Sequence, residues 1–456
     1  MITLDIVVKE LNQRWVSEDS ELIEDSDSLW LCYTQMSHID SKLILTKGKG
    51  ASVKDINNKV YIDGQGGLWC VNIGHGNPEI IFEIWKQTTN ICYYTLFGSS
   101  HIPAIKLAKK LVEITPIGLN HVFFSSGGAD AIESAIKIVI SHFKNIGKKE
   151  KRKLLFFEGG FHGETLGALS ISGCDDERLN YLKENPDLIK LPYPSHEDFK
   201  NNSKIESYIL LVKRIIEKIG KEEIAALIYE PIQGVGGCKI PSKRFYDSLQ
   251  QILGENGILQ IVDEVTTGFG RTGKLFACNH YDINPDIIVF SKGLSSAYSP
   301  IGAAVMTDEI YNSFLEDNLY LKHGYTLGGH PIACAAAMKN IELIMNENFL
   351  KEVVNKGRYI FDKLNAMKSE FKFIKSINGI GLMNFIHLQD HDQQNMSQIE
   401  SRKICNLAQH QGLLIRSLDN LIPLMPPLCI SNKEIDEMIS ILYYSFEEYQ
   451  KCLKIA

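Results

Sequence analysis

Two ionisable residues stand at the ends of apolar runs in the middle of the sequence. Lys292 closes the run DIIVFSK, and Asp263 lies near the end of the run ILQIVDEV. A lysine at the rim of a buried strand is poorly solvated, so its amine can be neutral and nucleophilic, as Schiff-base formation requires. A carboxylate inside an apolar strand needs a cation or a strong donor, and a structural ion pair with Arg271 is the alternative to a functional partner. The pair predicts amine chemistry at one edge of a sheet.

Two glycine-rich segments follow other apolar runs. After HVFFSS come Gly127, Gly128 and Ala129 at the start of a helical pattern, where backbone N–H groups can bind a phosphate. A tight turn that needs glycine only for its dihedral angles is equally compatible with this motif. After LLFFE come Phe161 and His162 between glycines, so Phe161 could stack on a flat ring. The alternative is a core phenylalanine beside a histidine that caps a carbonyl group.

A third glycine-rich segment, GFGRTG at 268–273, matches the G-x-G-x-x-G spacing of dinucleotide-binding sites and follows a predicted strand. No long apolar helix comes after it, because the chain runs into Asn284 and Pro285. The spacing alone is a weak signal. A nicotinamide-dependent oxidoreductase is therefore a competing interpretation, one that predicts no covalent adduct at Lys292.

These residues need a scaffold that brings strand ends together. The middle of the chain alternates apolar runs with helical patterns such as ADAIESAIKIVISHFK, and the runs are apolar throughout. This is typical of strands covered by helices on both faces, so the predicted fold is α/β with a mostly parallel sheet. The predicted strands are 121–126, 154–158, 225–231, 258–265, 286–292 and 301–306.

Composition and charge exclude several classes of protein. The 456 residues are 44% hydrophobic, and 48 Lys and Arg against 55 Asp and Glu give a net charge of −7, which disfavours nucleic acid as a partner. No apolar run reaches the roughly 18 residues that span a bilayer, and no secretion signal is recognisable. The ten scattered cysteines lack metal-ligand spacing. We expect no metal, no membrane association and a cytoplasmic location.

Eight ordered strings resemble the class III (ω-amino) aminotransferases, and the similarity runs from about Lys47 to the PPL at 426–428. The resemblance implies pyridoxal 5'-phosphate as cofactor and the pyridoxal-phosphate-dependent transferase fold type I, which is aspartate aminotransferase-like. GLWCVN and SSAYSPIG favour the amine and β-alanine:pyruvate branch. The strings are DGQGGLWCVNIGHG, FFSSGGADAIESAIK, GGFHGETLGALSISG, EPIQG, DEVTTGFGRTG, PDIIVFSKG, GYTLGGHP and IRSLDNLIPLMPPL.

The resemblance also implies a domain division. Residues 1–74 would form an N-terminal helix and hairpin segment of a small α+β domain, with the hairpin turn at Asn57-Asn58 between two β-type runs. Residues 75–330 would form the large domain that binds the cofactor. Residues 331–456, which open on the alanine-rich helix IACAAAMKNIELIM, would complete the small domain.

For the cofactor, the resemblance assigns roles to matching positions. Lys292 resembles the catalytic lysine that holds the cofactor covalently and moves the substrate proton, and Asp263 resembles the carboxylate below the pyridine nitrogen, which keeps the ring an electron sink. The other implied cofactor-binding residues are Phe161 and Val265 on the two faces of the ring and Gly128 and Ala129 at the phosphate.

The resemblance implies three further residues outside this set. Trp69 resembles an aromatic wall of the substrate pocket, and Arg416 resembles the arginine that clamps a substrate carboxylate by two hydrogen bonds. Thr326 resembles a threonine that reaches the phosphate of the neighbouring subunit's cofactor. A homodimer with shared active sites is therefore implied.

The predicted function is transfer of an amino group from an amine or ω-amino acid to an α-keto acid, pyruvate above others, by a ping-pong mechanism. The alternative is another reaction on the same scaffold, namely that of an epimerase, aminomutase, decarboxylase or phospho-lyase. Two positions depart from the family pattern. Many relatives have Ser at Ala129 and Gln at Thr266, so one phosphate contact is lost and a contact to the cofactor's phenolic oxygen is in doubt.

Overall fold

The computed structural model describes residues 28–36 and 43–455, together with positions 5, 6 and 9. The strands are β1 (Leu45–Lys49), β2 (Ser52–Asp55), β3 (Val60–Asp63), β4 (Leu119–Ser125), β5 (Lys153–Phe157), β6 (Leu188–Leu191), β7 (Ile224–Tyr229), β8 (Leu259–Asp263), β9 (Ile287–Phe290), β10 (Gly302–Thr307), β11 (Ile374–Ile380), β12 (Met383–Leu388), β13 (Leu413–Leu414) and β14 (Leu421–Leu424).

The helices surround these strands. They are the short kinked α1 (Gly66–Trp69), α2 (Pro78–Asn90), α3 (Ile102–Ile114), α4 (Gly128–Asn145), α5 (Leu166–Ser170), α6 (Asp175–Tyr181), α7 (Asn202–Ile219), α8 (Lys243–Glu255), α9 (Asp308–Asn312), α10 (Pro331–Ile344), α11 (Glu347–Glu370), α12 (Gln398–His410) and α13 (Asn432–Ile455). In the described part of the chain, no helix combines the length and apolar character needed to cross a bilayer.

A seven-stranded sheet in the order β4-β10-β9-β8-β7-β5-β6 forms the centre of the molecule. The pairs from β9 to β6 are parallel, whereas β10 is antiparallel to both of its neighbours. Every residue of β7 and β9 is buried, as the continuous apolar runs predicted. The carboxyl ends of β5, β7, β8 and β9 therefore meet at one edge of the sheet.

Helices cover both faces of this sheet. On one face, α4 packs its apolar stripe of Ala131, Ala135 and Val139 against the central strands. On the other face, α7 and α8 contribute Val212, Phe245 and other buried residues to the largest hydrophobic cluster. The predicted α/β class and mostly parallel sheet are confirmed.

A second sheet joins distant parts of the chain. Its order is β1-β2-β3-β13, and β13 runs parallel to β3, with Leu413 opposite Ile62 and Leu414 opposite Asp63. The hairpin turn lies at Asn58, which has a positive φ of 66°. A third, antiparallel sheet in the order β11-β12-β14 packs beside it. The chain after β3 and the chain after β13 thus leave the second sheet at the same edge.

All six predicted strands are present within two residues of their expected bounds. The sequence of the short edge strand β6 contains no continuous apolar run, so this strand was not predicted. The predicted N-terminal helix lies outside the described residues, apart from positions 5, 6 and 9. The domain boundaries at 74/75 and 330/331 stay predictions.

Candidate active site

Lys292 stands at the carboxyl edge of the large sheet, two residues beyond β9. Its Nζ donates a hydrogen bond to Thr266 Oγ1 at 2.9 Å and lies 5.3 Å from the centre of the Trp69 ring. Burial lowers the pKa of the Lys292 ammonium, although the negative charge of Asp263 opposes this shift. The backbone adopts φ 41°, an uncommon value for lysine. The amine is therefore desolvated and lies between the hydroxyl of Thr266 and the ring of Trp69.

Asp263 ends the neighbouring strand β8 and is 3% exposed. Its Oδ2 accepts a hydrogen bond from His162 Nδ1 at 2.8 Å, and its Oδ1 accepts one from the N–H of Val265 at 2.9 Å. His162 Nε2 is buried without a partner among the described residues. Because a carboxylate only accepts, Nδ1 carries the proton that His162 donates to Asp263.

Arg271 does not pair with Asp263, so the structural alternative considered for that carboxylate is wrong. The Arg271 guanidinium donates to the carbonyl oxygens of Leu382 and Pro426 and to Asn72 Oδ1. His162 also does not act as a simple carbonyl cap, because its Nδ1 is committed to Asp263. The expected strong donor to Asp263 exists, but it is an imidazole.

The glycine-rich segment 268–273 does not form a dinucleotide-binding turn. No helix begins directly after it, and the next regular element is a single 3-10 turn at Ala277–His280. Phe269 within the segment is fully buried. Without a helix N-terminus to receive a pyrophosphate, the nicotinamide interpretation loses its structural basis.

Glu230 is a buried carboxyl group that the motif search missed. It follows β7, and its two oxygens accept hydrogen bonds from the N–H groups of Phe161, at 3.0 Å, and Gly234, at 2.8 Å. Burial, reinforced by the charge of Asp263, raises the pKa of Glu230 to about 7. An acidic residue directly after an apolar strand was the available signal, the same one that identified Asp263.

The N-terminus of α4 is open toward this edge. Its N-cap is Gly127, and no side chain caps the first turn. A Cβ on Gly128 would approach Val265 Cγ1 to 3.0 Å, and one on Gly163 would approach the Cβ of Ala129 to 2.6 Å. Glycine thus permits close packing around a helix end whose N–H groups can bind an anion.

Phe161 and Val265 are the apolar residues bonded to the two carboxyl groups of the site. Both side chains are half-buried, although each lies beside residues that are fully enclosed. The N–H of Phe161 donates a hydrogen bond to Glu230, and the N–H of Val265 donates one to Asp263. These two hydrogen bonds fix the backbone of an aromatic and an aliphatic residue whose side chains keep part of their surface free. Such side chains can pack against a flat ring.

Trp69 and Arg416 come from the smaller, four-stranded sheet. They follow the adjacent parallel strands β3 and β13, so both reach the same edge. Trp69 has a left-handed φ of 63° within the kinked α1, and its Nε1 is buried without a partner in the described part of the chain. Arg416 is half-buried, and burial lowers its pKa. No carboxylate pairs with Arg416 in residues 28–36 and 43–455.

Thr326 is not brought into contact with the other site residues. It lies exposed in the loop between β10 and α10, and its carbonyl oxygen accepts a hydrogen bond from the Tyr93 hydroxyl. The loop is held to α4, because the Tyr325 hydroxyl donates to the carbonyl oxygen of Asp130 at 3.0 Å. Thr326 is therefore a surface residue, fixed through its backbone.

The family model described as Aminotransferase class-III matches residues 33–445. The chain belongs to the class III aminotransferases. It is 35% identical over 435 residues to the adenosylmethionine-8-amino-7-oxononanoate aminotransferase of Anoxybacillus flavithermus, covering 93% of this chain and 96% of that one. It is 29% identical to the putrescine--pyruvate aminotransferase of Pseudomonas aeruginosa, covering 90% of this chain and 91% of that one.

A solved structure has the same fold as this aminotransferase. An (S)-enantioselective omega-transaminase from Thermomicrobium roseum superposes with a TM-score of 0.90 at 32% identity, and the match covers 96% of this chain and all of that one. The predicted fold type I and the resemblance stated from the motifs are confirmed. The protein is a transaminase that depends on pyridoxal phosphate.

The residues present in the aminotransferase fit that cofactor. The open end of α4 suits its phosphate, and the Asp263 carboxylate and the partly exposed side chains of Phe161 and Val265 suit its ring. The desolvated Lys292 amine suits its aldehyde carbon. The Thr266 hydroxyl accepts a hydrogen bond from the Lys292 amine.

Proposed function

We propose that this transaminase takes the amino group of an amine or ω-amino acid and gives it to pyruvate in two half-reactions. The observation that carries the proposal is the placement of the Lys292 amine between Thr266 and the face of Trp69. A pocket bounded by an indole accepts an apolar donor beside the nucleophile. Relatives named as putrescine--pyruvate and taurine--pyruvate aminotransferases support pyruvate as the acceptor.

The proposed chemistry assigns each cofactor-side residue one task. Bound pyridoxal phosphate would supply an electron-accepting ring that stabilises charge on the donor carbon. Asp263 would hold a proton on the ring nitrogen through its carboxylate, while His162 fixes that carboxylate from the other side. Lys292 Nζ would take the proton from the donor carbon and return it to the aldehyde-derived carbon of the cofactor, on the other side of the amino nitrogen. Gly128 and Ala129 would bind the phosphate through backbone N–H groups.

The substrate-side residues would provide selectivity. Arg416 would bind the carboxylate of pyruvate by a two-point hydrogen bond, which its half-buried, carboxylate-free environment supports. Trp69 would limit the size of the group carried by the donor carbon. Because α1 is kinked and Trp69 is held at a positive φ, its indole would be a fixed wall.

We also infer a homodimer in which Thr326 reaches the partner's phosphate site. Its exposure and the neighbouring groove of about 1070 Å³, lined by exposed Phe97 and Tyr320, support this assembly. Light scattering should give twice the chain mass. Co-expression of Lys292→Ala with Thr326→Trp chains should restore activity to the hybrid, since one of its two sites contains both wild-type residues. Equal inactivity of the hybrid and its parents would argue against shared sites.

A half-reaction tests the proposed function directly. The holoenzyme mixed with an amine donor alone should lose the visible absorbance of its cofactor, and pyruvate added afterwards should restore it. The donor panel should contain putrescine, taurine, β-alanine and a simple aryl amine. If the cofactor is bound and no donor in the panel changes its absorbance, the proposed donors are excluded.

The comparisons favour one second candidate. Five relatives at 32–35% identity are named adenosylmethionine-8-amino-7-oxononanoate aminotransferases. Adenosylmethionine as donor and 8-amino-7-oxononanoate as acceptor therefore belong in the same assay. Turnover with this pair and not with pyruvate would replace the leading proposal. We place either reaction in the cytoplasm, which the ten free cysteines support.

A further inference from the structure

Arg271, from the segment that resembled a dinucleotide motif, occupies a position that the proposed chemistry does not use. It is fully buried, and it hydrogen bonds to no carboxylate among the described residues. Nη1 donates to the carbonyl oxygens of Pro426 at 2.7 Å and Leu382 at 2.9 Å, and Nη2 donates to Asn72 Oδ1 at 3.0 Å. Its Nε has no partner in the part of the chain that the structure describes.

The three acceptors belong to three separate segments outside the large sheet, and one of these segments carries Trp69. Asn72 follows Trp69 by three residues, Leu382 lies between β11 and β12, and Pro426 lies just after β14. The segments also bond to one another, because the N–H of Leu428 donates to the carbonyl oxygen of Asn72 at 2.8 Å. Arg271 itself follows Asp263 on the cofactor side. One guanidinium therefore bridges the two sides.

Asn72 extends this bridge to the neighbourhood of Lys292. Its Nδ2 donates to the carbonyl oxygen of Phe269 at 2.9 Å, and a Cβ on Gly293 would approach the same Nδ2 to 2.5 Å. The side chain of Asn72 is thus clamped between Arg271 and the residue after Lys292. A shift of Arg271 would displace Asn72 and the turn that precedes it.

We propose that Arg271 is a positioning residue that holds Trp69 and the chain after β14 in register with Lys292. A buried cation whose hydrogen bonds all go to neutral oxygens is costly, and a neutral side chain would stabilise a purely structural contact more cheaply. The planar guanidinium donates from two separate nitrogens held in one plane, whereas a lysine has a single nitrogen on a flexible stem. The inference rests on the proposed assignment of Trp69 to the substrate pocket.

Lys151 provides a matched control on the opposite edge of the sheet. It is also a buried cation that donates to two carbonyl oxygens, those of Ile224 at 2.8 Å and Gly257 at 2.6 Å. Both acceptors lie at the amino ends of strands, away from Lys292. Loss of this cation should weaken the fold without moving the site.

The test compares Arg271→Lys, Arg271→Met, Asn72→Ala and Lys151→Met as holoenzymes. For the Arg271 variants we expect cofactor absorbance close to wild type and a KM for the amine donor raised roughly 10- to 100-fold, with a smaller change in kcat. Hydrogen exchange, which does not depend on turnover, should quicken in residues 64–72 and 425–428 and stay unchanged in β7. Lys151→Met should show the reverse pattern of exchange and an unchanged KM.

Two results would overturn the inference. One is an Arg271→Lys enzyme that loses thermal stability while its donor KM and its exchange at 64–72 remain within twofold of wild type. The other is additive behaviour of Arg271→Lys and Asn72→Ala, since residues that act through one contact should be strongly non-additive. If Arg271→Met does not fold, Asn72→Ala keeps the test open, because it removes one acceptor and leaves the guanidinium. Failure of the donor half-reaction in wild type, by contrast, would concern the proposed function alone.

Discussion

The two sides of the site are built differently. On the cofactor side, Asp263 ends β8 and Glu230 directly follows the fully buried β7, and each carboxyl oxygen accepts a hydrogen bond from the protein. On the substrate side, Trp69 is held at a left-handed φ, and Arg416 has no carboxylate partner among the described residues. Groups that perform the same chemistry on every substrate are fixed by the large sheet. Groups that distinguish substrates keep unused hydrogen-bonding capacity.

The substitution with the largest expected effect on turnover lies on the cofactor side. Lys292→Ala removes the desolvated amine at the carboxyl edge of the large sheet, so the overall rate should fall by about 10⁴-fold or more. The measurement is steady-state turnover with the best donor and pyruvate. Lys151→Met, which loses a buried cation elsewhere, should keep most of its activity. An alanine variant within tenfold of wild type would mean that the chemistry does not pass through residue 292.

Asp263→Asn tests whether the charge at the end of β8 matters as much as its geometry. The amide keeps the size of the side chain and removes its negative charge, so kcat should fall roughly 10³-fold. Asp286→Asn is the control, because Asp286 also accepts a backbone N–H, that of Gln260, but at the amino end of β9. Stopped-flow measurement of the donor half-reaction would separate this loss from slower cofactor binding. Equal effects of the two substitutions would show that the position of the charge is unimportant.

The difference between the two sides also explains what the sequence could predict. Lys292, Asp263 and the glycines before α4 stand directly after apolar runs, so their convergence follows from the sheet alone. Trp69 and Arg416 converge because β13 pairs with β3 from a part of the chain about 350 residues away. Local patterns do not encode such a pairing, and only the family resemblance brought these two residues together. Glu230 carried the same sequence signal as Asp263, whereas the pairing of His162 with Asp263 is a side-chain hydrogen bond between residues 101 positions apart, which no local spacing predicts.

The cofactor side should also carry a pH sensitivity that the substrate side lacks. Burial raises the pKa of Glu230 from 4.5 to about 7. An acid with a raised pKa in the folded state stabilises the fold most below its unfolded pKa, and this stabilisation is lost as the pH rises through 7. From pH 4.5 to pH 8 the loss should be about 3 kcal/mol. Urea unfolding of wild type and Glu230→Gln at both pH values measures it, and the glutamine variant should lack that part of the pH dependence.

On the substrate side, Arg416→Ala should act on one substrate and spare another. Loss of a two-point charged hydrogen bond should raise the KM for pyruvate roughly 10²-fold. An amine without a carboxylate should keep its KM within about threefold in the first half-reaction, because it does not use the guanidinium. Arg402→Ala, on the exposed side of α12, controls for loss of positive charge. Equal losses for both substrates would assign Arg416 to structure instead of recognition.

The smallest expected effect lies at Trp69, where packing and backbone strain oppose each other. Trp69→Gly removes the indole that faces Lys292, so kcat/KM for a bulky aryl amine should rise about tenfold relative to a small amine.

Trp69→Ala creates nearly the same space but keeps a side chain at φ 63°. The glycine variant should therefore be more stable than the alanine variant by about 1 kcal/mol, measured by thermal unfolding of the two holoenzymes. Both should be less stable than wild type, because the lost burial of an indole outweighs the relieved strain. Alanine and glycine variants of equal stability would show that α1 rearranges when the indole is removed. Trp69 would then be an adaptable wall of the substrate pocket instead of a fixed one.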